Sequence, residues 1–133
     1  MEITINIKGI EDTKRKDTKN IQSCYARVFD DGCKNWSKDA EYNLAYLKQV
    51  EAYATEILMS QGFIFLNDVY DLLGMRKSKA GQLVGWIYEV DNPIGDNFVS
   101  FRLYESCNHD FINGYSDTAI LDFNVDGVII DRL

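Results

Sequence analysis

From Lys38 to Gln61 the apolar residues fall at helical spacing, and this stretch constrains the fold more than any other. Leu44, Leu47, Val50, Ala54, Ile57 and Leu58 line one stripe, while Glu41, Lys48, Glu51 and Glu56 occupy a solvated face. Ser37 stands where an N-cap belongs, and Gly62 fits the left-handed residue after the last turn. A helix this long with one apolar stripe must bury that stripe against other elements. A short second helix is predicted over 66–73, with Val69, Leu72 and Leu73 inward and Gly74 as its stop.

The flanks read as strands. Ile3, Ile5 and Ile7 alternate with polar residues, 11–20 reads as a polar loop, and a second strand over 21–29 ends at Asp30-Asp31-Gly32. After Gly81, Leu83–Val90 and Phe98–Tyr104 are rich in β-branched and aromatic residues. The turn-rich run Asp91-Asn92-Pro93-Ile94-Gly95-Asp96-Asn97 joins them as a hairpin. Residues 105–117 read as a polar loop around Phe111 and Ile112. Thr118–Val125 and Val128–Arg132 then form a second hairpin about Asp126-Gly127. The expected fold is α+β, one long and one short helix packed on a mainly antiparallel sheet with hairpins. A chain of 133 residues suits one domain. Its parts are an N-terminal strand pair (1–36), a helical segment (37–74) and a β-rich half (82–133). The predicted core is Leu44, Leu47, Val50, Ile57, Val69, Leu72, Trp86, Phe101, Leu121 and Phe123.

Several classes are disfavoured by composition. No apolar run approaches the ~20 residues that span a bilayer, and the first residues lack the basic and apolar blocks of a signal peptide. Cys24, Cys33 and Cys107 are odd in number and widely spaced, which is no disulfide framework. A cytosolic protein with reduced thiols and no membrane partner is expected.

Charge is unevenly placed. The net charge of −7 arises within residues 82–133, where Arg102 and Arg132 face nine carboxylates. Such a segment repels phosphate backbones, so direct nucleic-acid binding is disfavoured, and it attracts a basic protein surface. Its partner-binding candidates are Asp96, Glu105, Asp122, Asn124, Asp126 and Asp131.

Three constellations touch on chemistry. Asp122-Phe123-Asn124-Val125-Asp126-Gly127 matches the start of a calcium loop, but position 12 is Leu133 rather than a bidentate Glu. Hairpin alternation is the better reading, with Asp122, Asn124 and Asp126 on one strand face as a weak cation site or a partner-binding edge. Cys107-Asn108-His109-Asp110 gathers a thiol, the sole histidine and a carboxylate. It lacks zinc spacing to Cys24 and Cys33 and shows no oxyanion-hole motif, so no catalytic residue, metal or cofactor is assigned. Arg76, Lys77 and Lys79 form a basic loop near Gly81 and Gly85, without a phosphate-loop signature.

Phe65-Leu66-Asn67-Asp68-Val69-Tyr70-Asp71, Lys79-Ala80-Gly81-Gln82 and Gly85-Trp86 resemble an uncharacterised family of small domains from phages and integrative elements of gut bacteria. Asn92 to Asn97, Asn113-Gly114-Tyr115 and Leu121 to Gly127 continue the resemblance, which spans about residues 40–133. It implies a genetic context rather than a mechanism. Three roles follow as expectations. The first is a non-enzymatic protein of the host cytosol whose acidic half binds a basic partner, such as a host defence nuclease or nucleoprotein, in the manner of an anti-CRISPR inhibitor. The second is a virion or assembly component that self-associates through strand edges. An enzyme using Cys107 and His109 is the third.

Overall fold

The computed structural model describes residues 24–133. The strand expected at Ile3–Ile7, the loop at 11–20 and the start of the 21–29 strand lie outside the described residues. Among the described residues, five short strands and three helices make an α+β fold: β1 (Arg27–Phe29), α1 (Ala40–Gln61), β2 (Phe63–Phe65), α2 (Leu66–Leu72), β3 (Val84–Ile87), α3 (His109–Ile112), β4 (Ala119–Leu121) and β5 (Gly127–Val128). Single 3₁₀ turns occupy Ala80–Gln82, Ser106–Asn108 and Ile130–Arg132.

The long helix forms as its stripe requires. Leu47, Val50, Ala54 and Leu58 are buried, and Leu44 and Ile57 pack partly buried against the same core. Its N-cap, however, is Asp39 rather than Ser37. Asp39 Oδ1 accepts from the amides of Glu41 at 3.0 Å and Tyr42 at 3.4 Å, while the Ser37 hydroxyl accepts only from the Asp39 amide. A carboxylate at this end also meets the positive pole of the helix. Gly62, at φ +90°, closes the helix by donating its amide to the Leu58 carbonyl. Glu51 departs from the expected solvated face. Its Oε2 accepts the Phe101 amide at 2.6 Å and so clips residues 98–104 to the helix.

The strands pair differently from the expected hairpins. β3 lies between β2 and β5, antiparallel to both, with Ile64 opposite Trp86 and Gly85 opposite Gly127. β1 pairs with β4, placing Val28 opposite Ile120. Residues 83–90 and 98–104 therefore do not form a hairpin, and neither do 118–125 and 128–132. Residues 98–104 form no strand, since Arg102 takes a left-handed φ of +54° and 103–104 turn, and the Asp122 and Asn124 amides donate to the Phe101 and Ser100 carbonyls. The loop 105–117 contains the Ser106–Asn108 turn and α3, which seats Phe111 in the core.

One core joins these layers. Seven of the ten predicted core residues are buried, and Leu44, Ile57 and Leu72 pack at its margin. Phe123 sits edge-on to both Tyr70 and Phe101, with ring centroids 5.4 and 5.3 Å away. Close approach explains two glycines. A Cβ at Gly85 would overlap the Ile64 carbonyl oxygen, and one at Gly81 would overlap the Asn67 amide that brackets Ser78. No helix among the described residues is long and apolar enough to cross a membrane.

Candidate functional site

The run Leu121-Asp122-Phe123-Asn124 alternates as a half-exposed strand should, yet all four residues are buried. One side faces the core, and residues 96–102 cover the other. Asn124 is the centre of that cover. Its Oδ1 accepts from Trp86 Nε1 at 2.8 Å and from the Ser100 amide at 2.7 Å. Its Nδ2 donates to Asp96 Oδ2 and to the Phe98 carbonyl, both at 3.0 Å. That uses the bonding capacity of a primary amide. Asp122 lies 3.6 Å from the guanidinium of Arg102. Of the exposed polar face expected for Asp122, Asn124 and Asp126, the first two are thus an internal bracket.

Asp126 is half-buried, and its Oδ2 accepts the Ile87 amide at 2.9 Å. Burial pushes its carboxyl up, the Ile87 N–H pulls it down, and the charge of Asp96 pushes it up again. Gly95 packs against the same carboxylate so tightly that any Cβ there would collide with it. The loop 89–98 is thereby fixed to the C-terminal segment. Asn97, at φ +65°, completes the loop by bonding the amide and the carbonyl of Glu89.

Between this loop and the C-terminal residues lies a groove of about 450 Å³, lined by Ile94, Asp126, Val128, Ile129, Asp131 and Arg132. Ile94 and Val128 are 41% and 52% exposed there, which leaves aliphatic area open beside carboxylates. Asp131 and Asp96 are exposed around it. Glu105, also exposed, precedes the Ser106–Asn108 turn and does not line the groove.

The cysteine cluster dissolves into separate roles. Asn108 is buried and brackets Ile120, accepting its amide at 2.7 Å and donating to its carbonyl at 2.8 Å. His109 is exposed, its Nδ1 3.5 Å from Asp110 Oδ1. Burial pushes the Cys107 thiol up, and Asp122 and Glu105 add to the effect, opposite to what a nucleophile needs. Among the described residues, no three His, Cys, Asp or Glu side chains could together hold a metal ion. Arg76, Lys77 and Lys79 are exposed on the loop after α2, and Arg76 enters a second groove with Arg27.

Sequence reasoning missed Asn43 and the burial of Asn108 and Asn124. Asn43 accepts the Ser37 amide and donates to the Ser37 and Asp117 carbonyls. Nothing local marks such a residue, because its partners lie in other segments.

Comparison with known proteins places the chain in an uncharacterised family. Neither a curated protein nor a solved structure matches the chain. A family model does match, over residues 2–133, which takes in the N-terminal residues as well as 40–133. The chain belongs to the family of unknown function DUF6353.

Proposed function

We propose that the protein is a non-catalytic binding module that docks on a basic protein surface through its acidic C-terminal half. The observation that carries this reading is the groove in which exposed Ile94 and Val128 stand between the carboxylates of Asp126 and Asp131. Aliphatic side chains offer area to bury, while carboxylates steer a basic partner and reject an acidic one. The surrounding half supplies the field, with nine carboxylates to two arginines. The raised thiol of Cys107 and the exposed His109 favour binding over catalysis.

The resemblance to phage and mobile-element domains supports a finer version of the role. In it, the protein works in the host cytosol and inhibits a defence nuclease, its carboxylates occupying a basic groove built for nucleic acid.

Size exclusion of the protein mixed with basic host nucleoproteins, nucleases included, tests the reading. The expected result is a co-eluting complex that dissociates as salt rises and weakens in Asp131→Asn. No complex with any of them, or binding indifferent to salt and to the substitution, contradicts it. A virion component would instead self-associate at high concentration, which sedimentation velocity separates from docking.

A further inference from the structure

We infer that the chain carries a site for the phosphate group of a small phosphomonoester, in the groove between the turn at 30–33 and the exit of α2. This groove, of about 370 Å³, includes Arg27, Val28, Cys33, Met75 and Arg76 in its lining. Its volume falls in the range of small-molecule sites, about 300–1,000 Å³.

Two arginines line it from different elements. Arg27 comes from β1, and its guanidinium lies over the Tyr70 ring, 3.9 Å from the centroid. Tyr70 is buried, and its hydroxyl donates to the Tyr25 carbonyl at 2.9 Å, so the platform under Arg27 is rigid. A guanidinium has five donors in a planar fork, and stacking over a ring leaves its in-plane edge for a ligand. Arg76 arrives from the other wall, where Gly74 at φ +70° turns the chain after α2.

Neither arginine is matched within the described residues, whose ion pairs are Arg102–Asp122 and His109–Asp110. Asp30, in the facing turn, accepts the Gly32 amide at 3.0 Å, and with Asp31 beside it stands against the five basic residues Arg27, Lys34, Arg76, Lys77 and Lys79 at this end. Lys34 packs on Gly74, and Lys77 and Lys79 follow Arg76, all adding positive potential. Two forks present two charges and suit a dianion, which a phosphate monoester becomes above a second ionisation near pH ~6. Val28, half exposed, and Met75 then give an apolar wall to the organic part of the ligand. This site is separate from the acidic groove and does not depend on the docking role.

Cys33 supplies the readout, because it lines the groove as a free, half-buried thiol, whereas Cys107 lies in the other half. The whole chain is alkylated with iodoacetamide with and without phenyl phosphate, and both thiols are followed by peptide mass spectrometry. Phenyl phosphate at millimolar concentration is expected to slow Cys33 severalfold and leave Cys107 unchanged. The ratio should fall towards one between pH 7.5 and 5.5, as the phosphate loses its second charge. Arg76→Gln, at an exposed position outside the core, should raise the concentration needed by about tenfold. Protection by inorganic phosphate alone also supports the anion site and assigns it to free phosphate. Benzoate protecting as well as phenyl phosphate would overturn the phosphate assignment. No protection of Cys33, or protection that Arg76→Gln leaves unchanged, would overturn the site.

Discussion

The indole N–H of Trp86 donates to Oδ1 of Asn124 at 2.8 Å, 38 residues along the chain, and both side chains are buried. The same amide holds Ser100, Phe98 and Asp96. Three segments that form no common ladder therefore meet on one side chain. Asn124→Leu would strand the Trp86 and Ser100 donors away from water, at about 1–3 kcal/mol for each buried group. Urea denaturation followed by tryptophan fluorescence should show a loss above about 2 kcal/mol. A loss below measurement error would mean that the bracket does not hold the 96–102 segment.

Two glycines separate steric from conformational need. A Cβ at Gly85 would collide with the backbone of Ile64 and Phe65, so Gly85→Ala should cost more than about 3 kcal/mol or prevent folding. Gly127, at φ +123°, has open space around its Cβ position. Gly127→Val should cost only the strain of positive φ, above about 1 kcal/mol. Thermal unfolding of the pair checks the order, and a Gly127 loss larger than that of Gly85 contradicts the register of β2, β3 and β5.

Leu47 is fully buried under α1. Leu47→Ala should lose about 2–5 kcal/mol in the same denaturation assay, the usual range for a leucine truncated in a packed core.

Glu51 gives a pH signature. Burial pushes its carboxyl up, against the lowering effects of the Phe101 N–H and of Lys48. A carboxyl raised on folding binds its proton more tightly in the folded state. Stability from this group therefore increases as pH falls through the window just above the ordinary carboxylate range, and decreases as pH rises through it. Glu51→Gln keeps an oxygen for the Phe101 amide and removes the desolvated charge. It should be at least as stable as the wild type at pH 7 and show a flatter stability profile between pH 7 and 5. A steeper profile in the variant would contradict the buried environment.

How much of this was legible depended on range. The stripe of α1, the stops at Gly62 and Gly74, and most of the core followed from local periodicity, which one segment carries by itself. Strand pairing did not. Asp91 to Asn97 is rich in turn residues, but β3 finds its partners at Phe63–Phe65 and Gly127–Val128, one of which precedes it in the chain. The alternation of Leu121 to Val125 was equally misleading. Asp122 and Asn124 look outward by period, but the 96–102 segment covers that side and converts them into buried bonding groups. Of the candidate site, the charge imbalance was visible in the sequence. The groove was not, because Ile94 and Val128 come from segments joined only by folding.

Amide shift mapping of the full chain, titrated with a peptide alternating arginine and leucine, tests the docking role most directly. The account predicts perturbations concentrated at Ile94, Gly95 and Gly127 to Arg132, abolished at high salt and reduced in Asp131→Asn. Shifts spread evenly over every carboxylate-bearing segment, or centred elsewhere than this groove, would contradict it.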